Sequence, residues 1–291
     1  MSVIDSGHQR NASAQGAHNV LGREGIAPLE LLRAGRREAE SYGAQIVSGE
    51  VNSVTRVVSG TDVAFDAILA DGSTVRARRL LLASGLVDEL PDVDGLAPLW
   101  GRDVLHCPYC HGYEVRGTRI GILGTGPSAM HQTLLFRQLS PRVALIDQGM
   151  PPLSDDERAQ LNALGVDLVA GRMRQLATNT SGRLRAAVFD DGRELELDTL
   201  VVAPRFVARG ELYESLGGRL TETPMGRFIP TGPGGRSPID GVWAAGNSAD
   251  LAAMVGASAA AGTQAGGMIN ADLAATDARA AVARETTISA T

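Results

Sequence analysis

The chain has 291 residues, 44% of them apolar and 21% charged, enough for a sizeable core and, by length, two domains. A net charge of −6 without a Lys/Arg cluster argues against nucleic-acid binding, which needs a basic footprint. No apolar run approaches the roughly 20 residues of a membrane span, and no charged-then-apolar leader opens the chain, so the expectation is a cytoplasmic protein away from membranes.

In chain order, residues 1–5 read as a strand ending in an acid, Asp5. A polar, Gly/Ala-rich loop runs to about Gly25. Residues 28–42 have helical spacing, with Pro28 near the first helical position and Gly43 as a stop. Strands are expected at 44–48 and 50–58. A hairpin follows, with strands 63–69 and 74–76 around the Asp71-Gly72 turn. The apolar run Leu80-Leu81-Leu82-Ala83 reads as a buried parallel strand closed by Ser84-Gly85.

A second series repeats this order. Residues 119–123 form a strand, Gly124 to Ala129 a glycine turn, and about 127–139 a helix. Residues 142–147 form a strand ending in Asp147, and 155–164 a helix. Strands 184–189 and 194–197 flank the Asp191-Gly192 turn, and 200–203 form another buried strand. A last strand and turn span 238–247, followed by a small-residue helix from Ala252 to about Asn270, with a frayed tail beyond about Thr276. The two series point to two related nucleotide-binding units. Asp147 is preceded by strand, Gly-x-Gly turn and helix, whereas almost nothing precedes Asp5. The repeat therefore predicts a further strand–turn–helix of roughly 25–30 residues upstream of Met1.

The only two cysteines, Cys107 and Cys110, stand two residues apart in His106-Cys107-Pro108-Tyr109-Cys110-His111-Gly112. Thiols so spaced can cycle between dithiol and disulfide; the alternative is half of a zinc site, for which the chain lacks further cysteines. No metal is expected. His111 and, less so, His106 are candidates to take a thiol proton or stabilise a thiolate, against a reading as surface or core histidines. Gly124 and Gly126 allow a pyrophosphate to approach a helix N-terminus, with Ala129 in the third glycine's place. Asp147 can bind a ribose 2′-OH and repels a 2′-phosphate, favouring NADH over NADPH. The competing reading is a helix–strand packing turn. Asp5 has the corresponding place for an adenosine ribose, or is a solvated turn acid.

The order of these pieces resembles the low-molecular-weight thioredoxin reductase family of flavin-dependent pyridine nucleotide–disulfide oxidoreductases. The most specific part is the run from Cys107 to Glu114. Ala83-Ser84-Gly85 is similar to that family's Ala-Thr-Gly turn, and Gly241–Asp250, with Gly246 and Asn247, to its C-terminal flavin motif. The resemblance implies an α/β fold of two Rossmann-like three-layer nucleotide-binding domains, the second inserted in the first, each with a β-hairpin or meander. It implies an FAD domain at 1–101 and 227–291 and an NAD(P)H/dithiol domain at 102–226. It implies FAD and NAD(P)H as cofactors, a thioredoxin-like protein or small disulfide or dithiol as partner, and a homodimer. Cys107 would attack the substrate and Cys110 would face the flavin.

The departures are the absent N-terminal Gly-x-Gly-x-x-Gly turn, Asn247 in place of the flavin-motif Asp, no arginine signature after Asp147, and His111 where many reductases carry Asp. The Cys-x-x-Cys-His form also resembles oxygen-dependent dithiol oxidases of small sulfur-containing natural products. A degenerate binding module that keeps only the fold is the non-enzyme alternative.

Overall fold

The computed structural model describes residues 1–59 and 62–289. By internal contacts the chain divides into two units: residues 1–10, 34–87 and 206–291, and residues 11–33 and 88–205. The sequence reading sets its junctions at 101/102 and 226/227.

The first part of the chain contains β1 (Ser2–Asp5), α1 (Pro28–Ser41), β2 (Gln45–Ser48), β3 (Val51–Ser59), β4 (Asp62–Leu69), β5 (Thr74–Ala77), β6 (Leu80–Leu82) and β7 (Leu86–Glu89). β1 and β2 pair in parallel, with Asp5 opposite Ser48. β3, β4 and β5 make an antiparallel meander rather than a lone hairpin. Its turn is set by Asp71, whose Oδ1 accepts from the backbone and hydroxyl of Ser73 while Gly72 takes φ +83°.

The middle of the chain holds β8 (Val104–Leu105), α2 (Pro108–His111), β9 (Ile120–Gly124), α3 (Ser128–Arg137), β10 (Val143–Asp147), α4 (Asp155–Ala163) and β11 (Asp167–Val169). It continues with β12 (Met173–Thr178), β13 (Leu184–Phe189), β14 (Glu194–Glu196) and β15 (Thr199–Val201). A five-stranded parallel sheet, ordered β11-β10-β9-β15-β8, is the frame of this unit. β9 is buried along its whole length, as a central parallel strand must be. One apolar cluster packs Ile120, Ile122, Phe136, Leu145 and Leu161 between this sheet and its helices, and another packs Leu123, Ile146 and Leu200 against the β12–β14 meander. α4 begins with a capping box, in which Ser154 and Glu157 satisfy each other's backbone N–H.

The chain ends with β16 (Arg205–Ala208), α5 (Glu211–Ser215), β17 (Thr221–Thr223), β18 (Gly226–Phe228), β19 (Val242–Ala244) and α6 (Val255–Ser289). β19 pairs in parallel with β6, with Trp243 opposite Leu81. Two expectations are corrected here. α6 runs to Ser289 instead of fraying after Thr276, and around that point it is anchored by Arg78 on Asp277 at 2.6 Å and by Arg79 on Asp272 at 2.5 Å and Thr276 at 3.1 Å. The run 80–83 is buried only in part: Leu82 is 8% exposed but Leu81 is 37% exposed, since β6 has β19 as its single partner. No described helix is long and apolar enough to cross a membrane.

Candidate active site

β8 ends at Leu105, and its C-terminal continuation is the dithiol turn. Cys107 is extended (φ −111°, ψ 120°) and caps the one-turn helix α2, whose first residue is Pro108. His111 N donates to Cys107 O at 3.3 Å and Gly112 N to Pro108 O at 2.8 Å. This turn brings the two sulfurs to 2.8 Å. A disulfide of about 2.05 Å is therefore within reach of a small side-chain movement. Both thiols are half-buried.

Gly112 closes the turn for lack of space: a Cβ there would stand 2.2 Å from Pro108 O and 2.5 Å from a Leu139 methyl. His106 stacks on Trp100 with ring centroids 5.9 Å apart, which gives it a packing role. His111 is different. Its Nε2 is buried and has no hydrogen-bond partner. Burial lowers its imidazole below the ordinary histidine value, the Glu114 carboxylate pulls it upward, and His18 adds to the lowering. Burial thus favours the neutral ring, the form that can accept a proton.

Gly124 lies at the end of β9, two strands from β8 and so roughly 10 Å away. A Cβ on Gly124 would meet Met150 Sδ at 2.6 Å and Ile146 O at 2.9 Å, so a glycine is needed here for close packing against β10 and the loop that follows it. At Gly126 a Cβ would meet nothing within 4 Å, leaving the turn ahead of α3 open to a ligand. Ala129, in the first turn of α3, is buried. Asp147 is in register with Gly124 on the neighbouring strand and is exposed, its Oδ1 accepting from Gly149 N at 3.1 Å. Gln132 of α3 donates to the carbonyls of His106 and Val202, each at 3.3 Å, tying the helix behind the glycine turn to the strand ends at the dithiol. Dithiol, open glycine turn and acid thus share the carboxyl edge of one parallel sheet, where α/β proteins bind ligands.

The other unit has the same logic. Asp5 ends β1, Ala83-Ser84-Gly85 follows β6, and Gly246-Asn247 follows β19. Gly85 and Gly246 take φ of +72° and +70°, and a Cβ at Gly85 would meet nothing within 4 Å. Ser84 Oγ donates to Arg209 O at 2.7 Å. Asn247 Nδ2 donates to Asp250 O and Ala253 O, which orients its Oδ1 toward Arg10 at 3.5 Å. Asp5 is more than a solvated turn acid. Burial raises it, but Gly7 N and the Arg36 guanidinium outweigh that and hold the carboxyl below its usual range. An open turn at Gly85, an oriented amide at Asn247 and an acid at Asp5, each following a strand end, fit the ribose and ribityl side of a dinucleotide. Among the described residues this unit has no counterpart of β9.

Sequence reasoning passed over His18 and Asn19 and gave no role to Glu114, all of which touch or act on the dithiol turn. His18 and Asn19 lie in a loop without periodicity, so nothing in the sequence marked them.

Residues 5–267 match the family described as Pyridine nucleotide-disulphide oxidoreductase. The chain is 31% identical over 253 residues to "Thioredoxin reductase tcpT" of Claviceps purpurea (strain 20.1), covering 84% of this chain and 78% of that one. The solved structure of HlmI superposes with a TM-score of 0.89 at 38% identity, covering 97% of this chain and 87% of that one. An oxidoreductase from Agrobacterium tumefaciens superposes at 0.85 with 32% identity, covering 94% and 89%. The chain belongs to the pyridine nucleotide-disulphide oxidoreductase family, as an FAD-dependent, thioredoxin reductase-like enzyme of two Rossmann-type domains.

Proposed function

We propose that the protein exchanges two electrons between NADH and a disulfide substrate through Cys107 and Cys110. The observation that carries this reading is the pair of sulfurs 2.8 Å apart on the sheet edge that also holds the open turn at Gly126. The unit of residues 11–33 and 88–205 takes the nicotinamide nucleotide, with Gly124 and Gly126 at the pyrophosphate and Asp147 at the ribose 2′-OH. The other unit takes FAD, with Asp5, Ala83, Ser84, Gly85, Gly246 and Asn247 on its ribose and flavin side. When bound, the flavin supplies a two-electron relay between nicotinamide and sulfur.

The Cys107 thiolate attacks one sulfur of the substrate disulfide; a Cys107–substrate bond forms and the first substrate thiolate leaves. Cys110 then attacks Cys107, the mixed disulfide breaks, and the second thiolate leaves as the Cys107–Cys110 bond closes. The substrate is reduced and the dithiol oxidised. His111 takes the proton from the attacking thiol and returns it to a leaving thiolate.

A second reading runs the exchange in reverse, with the protein disulfide oxidising a small dithiol and oxygen as final acceptor. Its support is the Cys107-Pro108-Tyr109-Cys110-His111 form of the turn, in which His111 would take the proton of the substrate thiol. Anaerobic titration of the FAD-loaded protein with NADH decides. Bleaching of the flavin, with turnover of an aromatic disulfide that Cys107→Ser and Cys110→Ser both abolish, is the expected result. An unbleached flavin, with oxygen uptake on a small dithiol, selects the reverse direction. Disulfide turnover that survives both serine variants overturns the dithiol assignment.

A further inference from the structure

The loop of residues 11–25 has no part in the chemistry described so far, yet it is built against the dithiol turn within the same unit. Its ends are closed by Ala17 N on Ile26 O at 2.8 Å and Gly25 N on Ala17 O at 3.0 Å, with Ala17 buried. At its tip Asn19 adopts a left-handed conformation, φ 59°. Asn19 N donates to Glu24 Oε2 at 2.9 Å, and its Nδ2 donates to Tyr109 O at 3.0 Å. Tyr109 lies between the two cysteines. The neighbouring His18 has Nδ1 2.5 Å from Glu24 Oε1 and Nε2 against Glu114 Oε1. An imidazole can donate from both nitrogens only as the cation. Consistent with this, the hydrogen bond to Glu24 raises His18 above the ordinary histidine value; burial opposes it and Glu114 adds to it.

Glu114 stands three residues after His111. Glu114 and His18 are the charged groups that act on the His111 ring, with opposite signs. The remaining charged side chains nearby are engaged elsewhere or turned outward. Arg116 lies over the Tyr113 ring at 3.8 Å, Arg137 donates to Leu164 O, and His131 is exposed. α3, which packs on α2, presents Gln132.

We propose that His18 and Asn19 form a strap on the dithiol turn, in which Asn19 fixes the backbone between the cysteines and the His18 cation neutralises Glu114, keeping His111 in its proton-accepting form. His18 is a positioning residue: it is bonded to Glu24 and Glu114 and works through Glu114. The proposal rests on the reading of His111 as the group that takes the thiol proton. Without the His18 cation the Glu114 carboxylate draws a proton onto His111. Without Glu114 the imidazole loses its one attracting charge and is protonated only at lower pH.

The two substitutions therefore act in opposite directions, which a loss of packing alone would not produce. The test is histidine NMR titration of the full-length protein, with the His111 resonance assigned from His111→Gln. In parallel, the pH dependence of dithiol alkylation by iodoacetamide is followed. His18→Gln is expected to move the His111 midpoint to higher pH, lowering its neutral fraction roughly threefold near the midpoint. Glu114→Gln is expected to move it to lower pH. His18→Lys, which keeps the cation, stays with the wild type. The strap is overturned if His18→Gln and His18→Lys behave alike, or if His18→Gln and Glu114→Gln shift the midpoint in the same direction or not at all. If the midpoints move as expected but alkylation follows none of them, the strap stands and the assignment of His111 as proton acceptor fails.

Discussion

Gly112 shows how tightly the dithiol turn is specified. Its φ of −69° is open to any residue, so the constraint is space, and the nearest obstacle is backbone, Pro108 O, which cannot rotate away. Gly112→Ala is expected to lower stability by about 1–3 kcal/mol by forcing α2 off Leu139. It should also slow closure of the Cys107–Cys110 disulfide; thermal denaturation and disulfide formation in a glutathione buffer read the two effects. Asp147 is the second residue with a sharp expectation. A carboxylate at the end of β10 opposes a 2′-phosphate, so Asp147→Ser should shift the ratio of kcat/KM for NADPH over NADH upward by about tenfold. No change in that ratio would remove Asp147 from the nucleotide site. Cys107, Cys110 and His111 were legible because rare residues at fixed spacing stand out against any background. Glu114 was not, because its effect depends on a histidine almost a hundred residues away in sequence.

Among the elements, β13 is tied to β8 by a single buried acid. Asp103 is 1% exposed; Arg183 Nε donates to it at 2.8 Å and Leu184 N at 2.9 Å. Burial alone would raise its carboxyl, but the Arg183 hydrogen bond, Leu184 N and the charges of Arg183 and Arg102 hold it below the ordinary aspartate value. Its contribution is therefore complete above the ordinary aspartate range and is lost as pH falls through the lowered folded value. Asp103→Asn should cost roughly 2–3 kcal/mol at neutral pH and flatten the acid side of the stability profile in urea titrations. The strands carrying the nucleotide motifs were visible as apolar runs bounded by turn residues. β8, two residues long, and β16–β18 were not, because such short strands show no period and exist through their neighbours. α6 was underestimated for a related reason: its turns at Asp272 to Asp277 are held by Arg78 and Arg79, which lie far away in sequence.

On the scale of the molecule, the two units share one plan but differ at the centre. In one, β9 lies between β10 and β15, and Ile120, Ile122 and Leu123 are fully buried. In the other, the strands in the matching places make two separate pairs, β1 with β2 and β6 with β19. Backbone amides of β9 should exchange slowest in the protein, and those of β1 and β6 faster by orders of magnitude, in native-state hydrogen exchange followed by mass spectrometry. Equal protection of β6 and β9 would contradict this. The internal repeat was readable from sequence because each copy keeps its acid, its Asp-Gly turn and its short apolar strand. The division of the polar loop 11–25 to the dithiol unit was not, since its contacts are made by individual side chains.

The pairing of β6 with β19 also sets an order of events during synthesis. Ser248 Oγ bonds to Leu82 O across 166 residues of chain, and the whole of residues 88–205 lies between. Closing so long a loop is slow while the intervening chain is disordered and far cheaper once it has compacted. The dithiol unit, both of whose segments precede residue 206, can mature on the ribosome, and β6 must wait for β19 to emerge. A nascent chain stalled once residue 205 has cleared the exit tunnel would then already hold its reactive thiols in place.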